Sequence, residues 1–264
     1  PPTEMQSMFE ETVFPYLRTK TNEKLISRYL KVFGTGESDI EEKIIDLVDE
    51  QTNPTIAPYA KDGEIMLRIT ASSKDEKKAE DLLDSMEKEV RQRLGNMVYS
   101  SKGEQLEEVV ANMLLSAGIT ISIAESCTGG MISSRLTDVP GISKVFSRGI
   151  VSYSNESKME NLGVLPETLK KFGAVSQETA VEMAEGIRKR AQTDLGISVT
   201  GIAGPDGDVD GKPVGLVYVA LSDKSGCDCR ELRLAGSRDK IRNMATLHAF
   251  DMIRRYVMGA VDNK

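Results

Sequence analysis

The chain has 264 residues, enough for two domains of ordinary size. Hydrophobic residues make up 39% of it, aromatic residues only 5% and tryptophan is absent, so its cores must be built mainly from aliphatic side chains and methionine. The net charge of −7 argues against a general polyanion-binding protein, although backbone amides could still hold a single phosphate.

The three cysteines, Cys127, Cys227 and Cys229, do not suggest a disulfide framework, because their number is odd and two of them are only two positions apart. No segment approaches the roughly 18 apolar residues of a membrane span, and no signal peptide opens the sequence. We therefore expect a cytoplasmic protein with no membrane association. Because the sequence starts with Pro1 and not with Met, we also expect it to be cut from a longer protein.

The first hundred residues predict a small α+β domain. Residues 1–21 predict one helix whose packing partner would lie upstream. The order β-α-β-β-α follows over residues 22–102, with the predicted elements at 23–33, 39–51, 55–59, 64–70 and 74–93.

From residue 103 onwards, a helix over 104–118 is followed by short apolar runs that alternate with helical patterns. This alternation predicts a three-layer α/β/α sandwich. The predicted strands are 120–124, 146–153, 196–200, 215–221 and 231–234. The predicted helices are 130–136, 158–162, 166–172, 176–192 and 237–258.

The loop AESCTGG (124–130) follows the first of these strands and leads into a helix. It presents hydroxyls and a thiol beside free amides at a helix N-terminus. Such a loop suits a nucleophile with an oxyanion hole, or a phosphate cradle. It is equally typical of a plain capped helix with glycines for the turn, and the loop alone leaves these alternatives open.

Two more polar clusters, YSNESK (153–158) and TGIAGPDG (200–207), also follow predicted strands. Polar groups in such places bind ligands in open α/β sheets, and glycines three apart let the backbone approach a ligand closely. The alternative for the first cluster is that Ser154 or Asn155 caps a helix and Lys158 is a solvated lysine.

The stretch from Asp206 to Gly211 imitates a calcium-binding loop, with aspartates at alternate positions. Its twelfth position is Val217, where a calcium loop needs a bidentate glutamate. We therefore expect no calcium site.

The chain contains a single histidine, His248, in the middle of a predicted helix. A Ser-His-Asp triad would have to use it, and nothing in the local pattern directs it towards a loop. Its spacing from Cys227 and Cys229 matches no familiar zinc site. If Ser126 is a nucleophile, its base must then be a lysine, a tyrosine or a carboxylate, and a desolvated Lys158 is the best candidate.

Taken together, these motifs resemble the CinA family. The resemblance rests on AESCTGG, on GIV-x-YSNE-x-K (149–158), on GAVS (173–176), on TGIAGPDG and on KPVG (212–215), in this order. It implies a C-terminal nicotinamide-nucleotide amidase domain with a mixed sheet over residues 103–264. Residues 22–102 resemble the KH-like domain of longer family members. Residues 1–21 resemble the tail of their preceding molybdopterin-binding-like domain, to which an ADP-ribose pyrophosphatase activity is attributed.

The resemblance also implies the site residues of a Ser/Lys amidase that uses neither metal nor cofactor. Ser126 matches the nucleophile and Lys158 its general base, while Tyr153 and Thr200 would relay a proton or orient the serine. Arg238 would pair with the phosphate of nicotinamide mononucleotide. Backbone amides of two loops would contact the oxyanion or the phosphate. The loop residues concerned are Thr128, Gly129, Gly130, Gly201 and Gly204.

Two alternative functions stay open: a catalytically silent nucleotide-binding protein, and a nucleic-acid-associated competence or DNA-damage protein. Nucleic-acid binding is disfavoured by the acidic charge and because the first turn of the small domain, GTGESD (34–39), lacks the GxxG spacing of KH folds. A spacer or dimerisation role suits that domain better, and we expect a homodimer or a higher homo-oligomer.

Overall fold

The computed structural model describes residues 2–20, 23–34, 36–61, 63–207 and 211–262. Thr35 of the first turn and the two later aspartates of the calcium-like stretch, Asp208 and Asp210, lie outside the described residues. The chain divides into two compact units: Pro1–Ala60 with Ile65–Gly103, and Lys61–Glu64 with Glu104–Lys264.

The first unit opens with a helical run of exposed side chains and continues as a small α+β fold. The opening run comprises α1 (Pro2–Met8), a π-helical segment (Phe9–Val13) and α2 (Phe14–Arg18). The α+β part comprises β1 (Lys24–Val32), α3 (Glu37–Asp49), β2 (Thr55–Lys61), β3 (Glu64–Ser73), α4 (Glu76–Leu94) and β4 (Val98–Ser100).

The sheet of this unit has the order β2-β3-β1-β4, with β1 antiparallel to both neighbours. Alternate residues of β1 and β3, such as Leu30, Leu67 and Ile69, are fully buried. They pack in one core with Ile44 of α3 and Leu83 of α4. The short strand β4 was not predicted, because three residues are too few to show a period-2 pattern.

The second unit is an α/β fold. Its helices and strands are α5 (Leu106–Ala117), β5 (Ile121–Glu125), α6 (Met131–Thr137), β6 (Phe146–Val151), α7 (Asn155–Leu162), α8 (Pro166–Phe172), α9 (Gln177–Ala191), β7 (Leu195–Gly201), β8 (Leu216–Ser222), β9 (Cys227–Arg233) and α10 (Arg238–Asp262).

Its five-stranded sheet has the order β6-β5-β7-β8-β9. β5 runs parallel to β6 and β7, whereas β8 is antiparallel to both of its neighbours. Helix α9 packs on one face of the sheet and contacts α7 and α8, while α6 and α10 pack on the sheet from the other side and contact α5. The predicted three-layer sandwich with a mixed sheet, preceded by an α+β unit, is confirmed.

Several boundaries differ from the predictions for local reasons. Helix α7 begins three residues earlier than predicted, because the Ser154 side chain accepts a hydrogen bond from the Ser157 amide and caps it. Strand β9 begins at Cys227, earlier than predicted, because it pairs with β8 back to Ser222. No described helix is both long enough and apolar enough to cross a membrane.

Two glycines bring α9 close to its neighbours. A Cβ at Gly186 would lie 1.8 Å from the Leu162 carbonyl oxygen at the end of α7, and one at Gly196 of β7 would lie 2.3 Å from the Ala184 carbonyl oxygen. Both contacts are to backbone atoms, which cannot turn away as a side chain can. The close spacing between α7 and α9 therefore requires a residue without a side chain at position 186.

We expect Gly186→Ala to lower the free energy of unfolding by about 1–3 kcal/mol or more, because the added methyl group forces α7 and α9 apart. Urea denaturation of the whole chain measures the effect. Gly226→Ala is the matched control, since a Cβ there meets no atom within 4 Å. Equal midpoints for the two variants would contradict this account of the packing.

Candidate active site

The site lies where three neighbouring parallel strands end. Ser126 directly follows β5, Ser152 follows β6, and Thr200 lies at the end of β7. The Ser126 amide donates to the Val199 carbonyl at 2.9 Å, and the Ser152 amide donates to the Glu125 carbonyl at 2.8 Å. The strand order therefore brings the three polar clusters of the sequence to one edge of the sheet.

The structure places Lys158 against Ser126. Lys158 Nζ lies 3.1 Å from Ser126 Oγ, and it also donates to the carbonyl oxygens of Ser152 at 2.8 Å and Tyr153 at 3.4 Å. The lysine is only 1% exposed, so it is not the solvated lysine of the alternative interpretation. Ser154 caps the same helix, as that interpretation expected.

Burial lowers the pKa of the Lys158 ammonium from 10.5 to about 8, because a charged amine is disfavoured away from water. At neutral pH about a tenth of the amine is then unprotonated. A neutral amine keeps two N–H groups for the two carbonyls and one lone pair for the Ser126 hydroxyl. The arrangement can therefore deprotonate a serine during attack on an electrophile.

The Glu125 carboxylate occupies the N-terminus of α6. It is fully buried and accepts hydrogen bonds from the Gly130 and Ile132 amides at 2.9 and 3.1 Å. It also accepts from the amide and the hydroxyl of Ser133 at 2.9 and 2.7 Å. A side chain of the protein itself thus fills the position that the sequence suggested for a phosphate or an oxyanion, and the Gly130 amide is committed to it.

The amides of the loop can be followed one by one. Gly129 donates to the Ser126 carbonyl at 3.1 Å, and Met131 donates to the Thr128 carbonyl at 3.3 Å. Within the described part of the chain, the amides of Cys127 and Thr128 have no oxygen acceptor. The amides of this loop that have no oxygen acceptor are therefore the two that directly follow Ser126.

Two hydroxyls beside the Ser126–Lys158 pair are buried without a partner among the described residues: Thr128 Oγ1 and Ser152 Oγ. A buried hydroxyl without a hydrogen bond costs about 1–3 kcal/mol. Both can form a hydrogen bond with a bound molecule without giving up one within the protein.

Arg242 was not among the predicted site residues. Its Nε donates to the Cys127 carbonyl at 3.1 Å and its Nη2 donates to the Thr128 carbonyl at 2.8 Å. It lies one helical turn after Arg238 on α10, and this i, i+4 spacing is the sequence signal that could have identified it.

Arg238 and Tyr153 meet at the exposed side of the site. Arg238 Nη2 donates to the Tyr153 hydroxyl at 3.1 Å, and Nη1 donates to the Gly204 carbonyl at 2.5 Å. Tyr153 is 64% exposed, and its hydroxyl contacts Arg238 and not Ser126 or Lys158. The backbone carbonyl of Tyr153, rather than its phenol, contacts the lysine.

Thr200 is buried, and its hydroxyl donates to the Ala174 carbonyl at 2.7 Å. Lys212 holds the same loop through the Phe172 and Val175 carbonyls at 2.6 and 2.7 Å. Loop 173–176, which carries the GAVS motif, is thus held next to β7 by Thr200 and by Lys212 of the KPVG motif. The Thr200 hydroxyl uses its proton in this contact.

The glycines after β7 are needed for contacts within the protein. A Cβ at Gly201 would lie 2.6 Å from a Val217 methyl group and 2.9 Å from the Leu216 carbonyl oxygen. Gly204 has a φ of +80°, and a Cβ there would lie 2.9 Å from Val214. Gly129 and Gly130 also have positive φ, as the turn into α6 requires.

The remaining candidates lie elsewhere. Burial is the largest influence on the pKa of His248 and lowers it. Among the nearby charges, Asp251 raises this pKa, whereas Arg230 and Arg255 lower it. Cys227 and Cys229 lie on the edge strand β9, where burial raises the pKa of both thiols. No group of three or more metal-binding side chains occurs in the described ranges.

Comparison with known proteins supports the resemblance seen in the motifs. Residues 103–257 match the CinA C-terminal domain family, and residues 27–100 match the KH domain family of the damage-inducible protein CinA. A putative competence-damage inducible protein of Acetivibrio thermocellus is 60% identical over 98% of this chain and 62% of its own length. A CinA-like protein of Kosmotoga olearia is 52% identical over 99% of this chain and 63% of its own length.

Solved structures resemble part of this chain as well. The competence/damage inducible protein CihA of Agrobacterium tumefaciens is 40% identical, with a TM-score of 0.55, and the match covers 59% of this chain and 98% of that one. A CinA superfamily protein of Escherichia coli is 31% identical, with a TM-score of 0.55, over 57% of this chain and 88% of that one. This chain spans about 62% of the length of the curated relatives that it matches. The chain belongs to the CinA family.

Proposed function

We propose that the second unit is a nicotinamide-nucleotide amidase that converts nicotinamide mononucleotide to nicotinic acid mononucleotide and ammonia. The observation that carries the proposal is the 3.1 Å contact between Ser126 Oγ and the amine of Lys158, which is buried and whose pKa is lowered by that burial. The choice of substrate in this proposal comes from the resemblance of the motifs to CinA amidase domains.

In the first half of the reaction, Ser126 Oγ attacks the carboxamide carbon and its proton passes to the neutral Lys158 amine. The oxyanion that forms accepts hydrogen bonds from the free amides of Cys127 and Thr128. Lys158 then returns the proton to the leaving nitrogen, the C–N bond breaks, and ammonia departs from an acyl-enzyme.

In the second half, Lys158 takes a proton from a water molecule that attacks the acyl carbon. The ester bond to Ser126 breaks, the serine recovers its proton, and the carboxylic acid leaves. The same amine serves as base and as acid in each half, so no histidine is needed.

The roles of the other candidates follow from their contacts. Arg238 lies at the exposed side, where its guanidinium could receive a phosphate in exchange for part of its contacts to Gly204 and Tyr153. Tyr153 orients Arg238, and Thr200 holds loop 173–176 in place. We propose these as binding and supporting roles in place of a proton relay.

We expect the chain to release ammonia from nicotinamide mononucleotide and Ser126→Ala to lower the rate by on the order of 10³-fold or more, since the nucleophile is lost. A coupled ammonia assay measures this. Ser134→Ala, an exposed serine of α6, is the control and should keep the wild-type rate. Full activity in Ser126→Ala would refute the nucleophile, and substrate binding without any ammonia release would favour the silent nucleotide-binding alternative.

The pH profile tests Lys158. Its folded-state pKa is lowered, so the reactive neutral amine is gained as pH rises, and kcat/KM should increase with a midpoint near pH 8 before it levels off. Lys158→Met should remove this rise and lower the rate by about 10²- to 10⁴-fold. Lys189→Met, which removes an exposed helix lysine paired with Glu185, is the control. Wild-type activity of Lys158→Met at pH 7 would show that another group is the base.

Arg238→Met should raise KM for nicotinamide mononucleotide by about 10- to 100-fold, as expected for the loss of a hydrogen bond to a charged group. The matched substrate is nicotinamide riboside, which lacks the phosphate and should be nearly unaffected by the substitution. Equal losses for the two substrates would show that Arg238 does not bind the phosphate.

A further inference from the structure

The peptide groups that follow Ser126 are held through their carbonyl oxygens, and these contacts define where their amides point. In a trans peptide the C=O and N–H bonds point in opposite directions. The Ser126 carbonyl accepts from Gly129, which fixes the direction of the Cys127 amide. The Cys127 carbonyl accepts from Arg242, which fixes the direction of the Thr128 amide.

Arg242 holds the next peptide group as well, because its Nη2 donates to the Thr128 carbonyl at 2.8 Å. One planar guanidinium thus contacts two consecutive carbonyls and sets the angle between their peptide planes. A cation on a carbonyl oxygen also polarises the peptide and makes the N–H of the same group a stronger donor.

The other groups near Arg242 do not replace this contact. Asp239 Oδ1 lies 3.9 Å from Arg242 Nη1 and is largely exposed, so it contributes little. Glu125 holds the Gly130 amide, which lies beyond the two free donors. Within the described residues, Arg242 is the side chain that contacts the carbonyls of Cys127 and Thr128.

We propose that Arg242 is a positioning residue that orients and polarises the Thr128 amide as an oxyanion donor behind Ser126. This inference rests on the proposed amidase function for its substrate, and on the loop geometry alone for its effect on Ser126. Arg242 itself would contact neither the substrate nor the reacting atoms.

The test compares Arg242→Met and Arg242→Lys with Arg135→Met. Arg135 is a matched control because it is a half-buried arginine that bonds to Asn243 of the same helix α10 and does not contact the loop. Losing one oxyanion donor costs about 10²- to 10³-fold. We expect kcat of Arg242→Met to fall by up to that amount while KM and the pH midpoint near 8 are unchanged, and we expect Arg242→Lys to retain part of the activity.

Guanidinium rescue separates positioning from simple support of the fold. Added guanidinium ion should restore part of kcat in Arg242→Ala and have no such effect on Arg135→Ala. Wild-type kcat in Arg242→Met, or a loss that comes with a shifted pH midpoint, would overturn the proposal. A loss that guanidinium does not rescue and that accompanies a lowered thermal unfolding midpoint would also overturn it.

A fluorophosphonate probe keeps this test independent of the substrate. Ser126 Oγ attacks the phosphorus, its proton passes to the Lys158 amine and fluoride leaves, while the phosphoryl oxygen takes the place of the oxyanion. Slower labelling of Arg242→Met than of Arg135→Met supports the proposal even if the wild-type chain releases no ammonia from nicotinamide mononucleotide, an outcome that would refute the proposed function alone. Equal labelling rates would overturn the role of Arg242.

Discussion

The second unit depends on keeping an amine out of water beside a serine hydroxyl. Lys158 is 1% exposed, and its buried Nζ contacts Ser126 Oγ and two backbone carbonyls. Desolvation of an unpaired cation is costly, so the protein lowers the pKa of the amine to about 8 and stabilises its neutral form. Such a group is poised near physiological pH, which is the condition for an efficient general base.

Much of the surrounding structure holds that amine in place. The Ser154 cap begins α7, the Gly186 contact lets α9 pack against the end of α7, and parallel pairing of β5 with β6 aligns Ser126 with the Ser152 carbonyl. The loop after Ser126 is equally restrained. Glu125 accepts from amides at the N-terminus of α6 and Arg242 holds two carbonyls, so the amides without an oxygen acceptor are those directly after Ser126.

In the first unit, half-buried arginines are paired with carboxylates. Arg28 of β1 contacts three carboxylates, Glu80, Asp84 and Glu87, at 2.7–2.8 Å, and Arg93 pairs with Asp46. These arginines are therefore neutralised within the unit. Arg28 and Arg93 are thus committed to carboxylates of the same unit, and the net charge of the whole chain is −7.

The sequence by itself determined the fold class, the order of most elements and the candidate pairing of Ser126 with Lys158, since hydrophobic periodicity, turn residues and the presence of one histidine are local or compositional signals. The shortest strand, β4, carries too little pattern to be predicted. Tertiary structure alone decided which amides lack an acceptor, because only the folded chain shows which backbone groups of the loop the side chains of Glu125 and Arg242 contact. It likewise decided that the Tyr153 phenol contacts Arg238 and that the Thr200 hydroxyl contacts Ala174. Those contacts depend on which strands lie side by side, and strand order is a property of the assembled sheet.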